Sequence, residues 1–151
     1  MKWTLGVLVT TLALGVISAP AASAATGSSE VSITSSGNSA ARAARISCTL
    51  TISNPHNSLH RPKNINVIAP VSCSSTVAHI KLTVRLYRNG KKVKAKRFNK
   101  SSTKFLKGTA SMGCKNGNYQ GVADVRVTFP PRYLPAVTTG HLVSKTLKIS
   151  C

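Results

Sequence analysis

Residues 80–98, IKLTVRLYRNGKKVKAKRF, alternate between apolar and polar side chains on both sides of Asn89-Gly90. An Asn-Gly pair between two alternating runs is the strongest short signal for a β-hairpin, because a type I′ turn needs a positive φ at both central residues. A two-residue turn also sets the pairing, so Arg85 is predicted to face Lys94. One side of the hairpin is then apolar. The other is predicted to carry Lys81, Thr83, Arg85 and Tyr87 opposite Lys92, Lys94, Lys96 and Phe98.

The same alternation recurs along the chain, at about 46–52, 65–73, 119–129 and 142–151, and more weakly at 103–112. The runs are short and are bounded by turn-forming residues such as Asn54-Pro55. No run has a helical period. About seven short strands predict an all-β, immunoglobulin-like antiparallel β-sandwich, with an open barrel as the competing fold. The buried Trp of true immunoglobulin domains is missing, since the single Trp3 lies in the N-terminal segment.

Four cysteines, Cys48, Cys73, Cys114 and Cys151, are too widely spaced for a zinc knuckle. An even number in a small secreted domain indicates two disulfides, for which three connectivities exist. We predict Cys48–Cys73 and Cys114–Cys151, because the members of each pair lie at the far ends of two apparent neighbouring strands. In the chain-entropy description, loops of this size each restrict the unfolded chain by about 3–4 kcal/mol.

The first 24 residues have the three parts of a secretory signal peptide. These are Lys2, an apolar run that ends near Ile17, and the small residues Ala22-Ser23-Ala24 before the cleavage point. The run is shorter than the roughly 20 residues that span a bilayer, and no second apolar segment follows it. We therefore predict cleavage after Ala24 and secretion. Residues 25–44 are small and polar and predict a flexible leader, which leaves 45–151 as a single folded domain.

Positive charge dominates the composition, with 21 Lys and Arg against two acidic residues and a net charge of +19. Loss of Lys2 with the signal peptide leaves about +18. Only Asp124 lies in the predicted domain, because Glu30 is in the predicted leader. Ion pairs within the protein cannot neutralise this charge, so the mature protein is predicted to attract polyanions.

The hairpin at 80–98 is the predicted binding surface, because its like charges stand directly opposite each other and so destabilise the sheet. The expected partner is an anionic polymer or membrane surface, bound non-specifically: teichoic acid, polysaccharide, lipid headgroups or nucleic acid. The alternative is that basic residues on an edge strand only keep the protein soluble. The predicted anion-binding residues are Lys81, Arg85, Arg88, Lys91, Lys92, Lys94, Lys96 and Arg97, with aromatic contacts from Tyr87 and Phe98.

The residue types give little support to catalytic chemistry. A single acid in the predicted domain excludes a pair of carboxylates, and no G-x-S-x-G motif marks a nucleophile. His56 and His60 are four residues apart, but Pro55 and Pro62 place them in a loop rather than on the helix where this spacing binds metal. We therefore predict no metal, no cofactor and no enzymatic activity. The alternative functions are a cationic antimicrobial protein and a small histidine-dependent nuclease.

Three segments resemble those of small secreted actinobacterial proteins: RLYRNGKKV (85–93), CKNGNYQGVADVRVTFPPRY (114–133) and SKTLKISC (144–151). Those proteins have a signal peptide and a β domain with two disulfides. The resemblance covers about residues 48–151. It implies the location and the fold, and it implies no activity.

Overall fold

The computed structural model describes residues 28–37, 45–58 and 63–151, which are called the described residues below. They form nine β-strands with antiparallel pairing throughout, and no helix long and apolar enough to cross a membrane is found among them. This confirms the predicted all-β antiparallel architecture. The predicted signal peptide, 1–24, lies outside the described residues. The strands are β1 (Ser28–Gly37), β2 (Arg45–Ser53), β3 (His56–Asn57), β4 (Asn64–Arg88), β5 (Lys91–Gly113), β6 (Gly117–Thr128), β7 (Tyr133–Leu134), β8 (Val137–Val143) and β9 (Leu147–Ile149).

All nine strands belong to one open sheet in the order β7-β1-β2-β4-β6-β8, with β3 and β5 also paired to β4 and β9 to β6. Strand β4 organises the sheet because its two parts have different neighbours. Residues 71–73 pair with β2, whereas residues 79–88 pair with β6. Strand β5 follows β4 along almost its whole length. The sheet therefore has a first half, around β1 and β2, and a second half, around β6 and β8.

The strands predicted at 65–73 and 80–86 are parts of the single strand β4. Its pairing with β5 is interrupted between Ser72 and Val77, and residues 74–76 of this gap are short, polar and exposed. Ser74 Oγ accepts a hydrogen bond from the Ser47 backbone N–H at 3.1 Å. Short hydroxyl side chains compete with the regular ladder for backbone groups in this way. The irregularity marks the point where β4 passes from the first half of the sheet to the second.

The core lies between the inward-facing side chains of the two halves. Gly121 of β6 packs against Val67 of β4 and Ile52 of β2, and Gly140 of β8 packs against Ile33 of β1. Alternation along each strand supplies these side chains, as the sequence predicts. The largest fully buried ones are Tyr119, Leu50, Ile52, Ile65, Ile80, Leu82, Leu86, Val67, Val71, Val77, Val84 and Val127.

Both predicted disulfides, Cys48–Cys73 and Cys114–Cys151, are confirmed. Cys48 and Cys73 lie directly opposite each other on β2 and β4, and both are buried in the core. Cys114 comes directly after β5, so the second disulfide ties the β5–β6 connection to Cys151, which lies beyond β9. Each bond therefore links segments that strand pairing already brings together.

The predicted flexible leader, 25–44, is wrong for the ten residues that form β1. Nine of them pair with β2 in a regular antiparallel register. Ile33 is buried, and Ser35 Oγ donates a hydrogen bond to the Pro135 carbonyl at 3.0 Å. The segment has only two large apolar residues, Val31 and Ile33, but they alternate and complete the core of the first half. The folded domain thus includes residues 28–37, and Glu30 is a second acidic residue of the fold.

Gly121→Ala is expected to lower the free energy of unfolding by about 1–3 kcal/mol, because it overpacks the core between the two halves. A Cβ at this position would lie 2.5 Å from Val67 Cγ1 and 3.2 Å from Ile52 Cδ1. Gly113→Ala is the matched control, since a Cβ built there meets no atom within 4 Å. Urea denaturation of the two variants gives the comparison. Equal effects would contradict the packing of β6 against the first half.

Candidate anion-binding groove

The turn between β4 and β5 has the predicted form. Asn89 has a φ of 50° and Gly90 a φ of 75°, as a two-residue type I′ hairpin requires. The first two residue pairs beside the turn also match the prediction. Leu86 then lies opposite Lys94 rather than Val93, so β5 contains one extra residue at this point. Such an insertion is a β-bulge, and it shifts the following pairs by one as far as Val77 and Thr103.

The bulge has a physical reason in the core. Val93 and Phe98 both pack against the core cluster, although they are five residues apart. A regular strand would place them on opposite faces, because successive side chains alternate. The extra residue lets both face inward, where Phe98 lies beside Leu82 and the backbone of Gly108. A Cβ on Gly108 would be 2.7 Å from Phe98 Cδ2 and 2.9 Å from Leu82 Cδ2.

The bulge exchanges the two faces of β5 from residue 94 onward, which corrects the predicted basic face. Lys94, Lys96 and Phe98 lie opposite the core residues Leu86, Val84 and Leu82. Ala95, Arg97 and Asn99 lie opposite Arg85, Thr83 and Lys81. The predicted opposition of Arg85 and Lys94 is therefore wrong. Arg97, which the predicted register pairs with Leu82, lies opposite Thr83 on the outward face instead.

An open groove of about 660 Å³ crosses the outward face of the second half. Two rows of directly paired residues from β5, β4, β6 and β8 line it. The first row is Arg97, Thr83, Asp124 and His141, and the second is Asn99, Lys81, Arg126 and Thr139. These eight are called the groove residues. Because the rows run across four strands, the groove depends on the strand order as well as on the hairpin.

Asp124 is held at the middle of the first row by two side chains. The Arg85 guanidinium donates a hydrogen bond to its Oδ2, and His141 Nδ1 donates to its Oδ1 at 2.7 Å. The Asp124 side chain is still 37% exposed. An ionised carboxylate has about four acceptor sites, and these two bonds use two of them. Asp124 therefore retains the capacity to accept hydrogen bonds from a molecule in the groove.

Three groove cations have no such partner. Lys81 lies directly opposite Arg126, and on its other side Arg97 is two residues from Asn99, the β5 partner of Lys81. The ion pairs among the described residues are both made by Asp124, with Arg85 and His141. Glu30 is exposed on β1 in the first half of the sheet. Lys81, Arg97 and Arg126 therefore form a cationic cluster that the described part of the chain does not neutralise.

The structure divides the predicted anion-binding residues among several places. Lys81 and Arg97 are groove residues, and Arg85 supports Asp124 beside them. Tyr87 and Lys92 face each other nearer the turn, where Arg88 and Lys91 also lie. Lys94 and Lys96 are exposed on the opposite side of β5. The predicted aromatic contact Phe98 packs inward.

The sequence-based prediction missed Asn99, Asp124, Arg126, Thr139 and His141 as site residues. A signal for two of them exists, because Asp124 and Arg126 alternate with the apolar residues Ala123 and Val125 on β6. That pattern places both on the outward face of a strand. It does not show that β6 lies beside β4, and only that pairing brings Arg126 next to Lys81.

The histidines of the described residues do not gather into a metal site. His56 Nδ1 lies 2.8 Å from the Asn54 carbonyl, and His79 Nδ1 lies 3.0 Å from Ser101 Oγ. His60 is outside the described residues. Across the part of the chain that the structure describes, no three His, Cys, Asp or Glu side chains are grouped so that they could hold a metal ion.

Comparisons with known proteins add no relative: no protein-family model, curated protein or solved structure matches the chain. The resemblance to small secreted actinobacterial proteins thus stays a prediction, and the functional argument depends on the groove itself.

Lys81→Gln is expected to raise the free energy of unfolding by a few tenths to about 1 kcal/mol at low salt, because it removes a directly opposed like charge. The gain should shrink in about 1 M salt, where the Debye length is about 3 Å. Lys104→Gln is the control, since Lys104 is exposed and has no cross-strand partner in the β4–β5 register. Urea denaturation at both salt concentrations measures the difference. A gain that is no larger than the control's would contradict repulsion between Lys81 and Arg126.

Proposed function

We propose that this protein is a secreted, non-enzymatic protein that binds anionic polymers of the cell envelope or matrix in the groove. The observation that carries the proposal is the cluster of Lys81, Arg97 and Arg126, which has no carboxylate partner among the described residues. Opposed like charges cost stability in a sheet, and a bound anion offsets that cost. The proposed partner is still an anionic polymer or membrane surface. The proposed binding surface is now the groove rather than the whole hairpin at 80–98.

Secretion is supported by two independent features. The N-terminal 24 residues have the composition of a signal peptide. The two disulfides are of the kind that forms and persists in oxidising compartments outside the cytoplasm. A protein located there meets the anionic polymers and lipid headgroups of the envelope before it meets intracellular nucleic acid.

An immunoglobulin-like sandwich is the fold that we propose for the open sheet, and Tyr119 supports it. Its hydroxyl donates a hydrogen bond to the Lys115 carbonyl at 2.7 Å and accepts one from the Lys115 N–H at 3.2 Å. A tyrosine near the start of a strand that bonds back to the upstream backbone is characteristic of such domains. The packing of β6 against β2 and the first part of β4 supports the same arrangement.

The binding test compares two triple variants that lose the same charge. The groove variant is Lys81→Gln/Arg97→Gln/Arg126→Gln, and the control is Lys94→Gln/Lys96→Gln/Lys104→Gln, whose three residues are exposed outside the groove. Teichoic acid, anionic vesicles and DNA are titrated with each protein across a salt series. We expect the groove variant to lose about tenfold or more in affinity at low salt. The slope of log affinity against log salt concentration should also become shallower, by about one for each phosphate contact removed.

Equal losses in the two triple variants would show that net charge, rather than the groove, determines the affinity. A wild-type protein that binds none of the three probes at low ionic strength would contradict the proposed function itself.

A histidine-dependent nuclease is the second candidate, and the bond between His141 and Asp124 favours it. Asp124 holds Nδ1, which leaves Nε2 of a 61% exposed side chain to accept a proton beside the groove cations. Aspartates orient general-base histidines in this way in hydrolytic sites. His79 is too far away to supply a second proton-transfer group, because strand geometry separates it from His141 by about 16 Å.

Incubation with RNA tests this second candidate. A nuclease of this kind would cleave RNA, and His141→Ala would slow the cleavage by about a hundredfold or more. His79→Ala is the control and should leave the rate unchanged. Absence of cleavage, or cleavage that His141→Ala does not affect, would contradict the candidate.

A further inference from the structure

We propose that the ligand of the groove is a polyol phosphate: a chain of phosphate groups linked by hydroxyl-bearing units such as glycerol or sugars. Lys81, Arg97 and Arg126 would bind the phosphates, and Asp124 would accept hydrogen bonds from the hydroxyls. This inference rests on the proposed function, and it narrows the partner from any polyanion to one class.

Asp124 is the first observation in its favour. A carboxylate repels phosphate, so a groove built only for anions would be better without one. Asp124 nevertheless lies at its centre, two residues along the sheet from the Lys81–Arg126 pair and on the same face, with its side chain 37% exposed. Its hydrogen bonds to Arg85 and His141 leave about two acceptor sites unused. A hydroxyl group can donate to those sites without bringing a charge.

The uncharged groove residues are the second observation. Thr83, Asn99 and Thr139 lie beside the charged ones in the same two rows. Their side chains make no hydrogen bond within the described part of the chain. Hydroxyl and amide groups both donate and accept hydrogen bonds, which suits the mixed donors and acceptors of a polyol. A bare polyphosphate would offer acceptors only.

The third observation separates a polyol phosphate from nucleic acid. Binding of single strands depends on aromatic rings on which the bases stack. Among the described residues, Phe98 is the one Phe, Tyr or Trp along the groove, and its ring is turned toward Leu82 and Gly108 in the core. Tyr87 lies four residues from Thr83 along β4, about 13 Å away. The groove therefore presents cations and hydrogen-bonding groups without a stacking platform.

The test uses two polymers of matched phosphate content, poly(glycerol phosphate) and inorganic polyphosphate, with full-length mature protein. Asp124→Asn is compared with Glu30→Gln, since each removes one negative charge but Glu30 lies on β1 outside the groove. We expect Asp124→Asn to bind poly(glycerol phosphate) about fivefold more weakly, because the amide has a single acceptor oxygen for which Arg85 and His141 compete. Its affinity for polyphosphate should rise. Glu30→Gln should change both affinities slightly and in the same direction.

A second variant, Asn99→Ala/Thr139→Val, keeps the charge and leaves Asp124 in place. It should weaken only the binding of poly(glycerol phosphate), and urea denaturation of each variant confirms that it is folded. Vesicles of phosphatidylglycerol, which presents the same glycerol phosphate at a surface, distinguish a lipid source from a soluble polymer. Tighter binding to the vesicles than to poly(glycerol phosphate) indicates a lipid source, and the reverse indicates a soluble polymer. Either result supports the ligand class.

The outcomes that overturn this inference differ from those that overturn the proposed function. If Asp124→Asn strengthens the binding of both polymers equally, the groove is a plain polyanion site. The ligand class is then wrong, while the proposed function stands. If the wild-type protein binds neither polymer, the ligand class is wrong, and the proposed function is wrong as well if it also fails to bind teichoic acid, anionic vesicles and DNA.

Discussion

The pairing of β4 with β5 is the constraint on which the rest of the structure depends. Strand β4 belongs to both halves of the sheet, and β5 follows it, so any irregularity between them changes which side chains face the core. The bulge at Val93 is one residue long. It turns Phe98 inward and Arg97 outward, and it thereby determines the charge of the groove, although the bulge itself lies near the turn. A one-residue shift has this effect because side chains alternate with a period of two.

The positive charge of the protein lowers the stability of the folded sheet. The 21 basic residues repel one another in any compact state, and only two acidic residues are present to offset them. The core between the two halves and the disulfides Cys48–Cys73 and Cys114–Cys151 offset that repulsion, since removal of a native disulfide from a small secreted domain typically costs about 2–5 kcal/mol. Solubility would require charge on the surface, but it would not require Lys81 directly opposite Arg126. That pair is easier to explain by a ligand than by stability.

Local sequence signals predicted much of the fold and less of the site. The Asn89-Gly90 turn, the alternating strands and both disulfides follow from patterns within a few residues or from chain spacing. Strand β1 was missed because its few apolar residues resemble the composition of a linker until β2 is present to pair with them. The bulge was missed because it allows Val93 and Phe98 to face the core together, and that requirement arises only once the core is packed. The groove needed the order of four strands, which period-two alternation does not encode.

Asp124 is the groove residue that most affects which anions can bind, because a carboxylate lowers the affinity for every anion that approaches it. Specificity is a difference between affinities, and it is often achieved by an element that disfavours the wrong ligand. A polyphosphate meets the cations and the carboxylate together and gains nothing from the carboxylate. A polyol phosphate places phosphates on the cations and hydroxyls on Asp124, so the same carboxylate becomes a contact. At physiological ionic strength, charges more than about 8 Å apart are largely screened, whereas Asp124 is the next residue on the same face of β6 as Arg126, which lies opposite Lys81. Under the proposed function, the selectivity of the groove is set by the pattern of charges within two rows of the sheet, and the large net charge of the protein contributes mainly to the approach of the polymer.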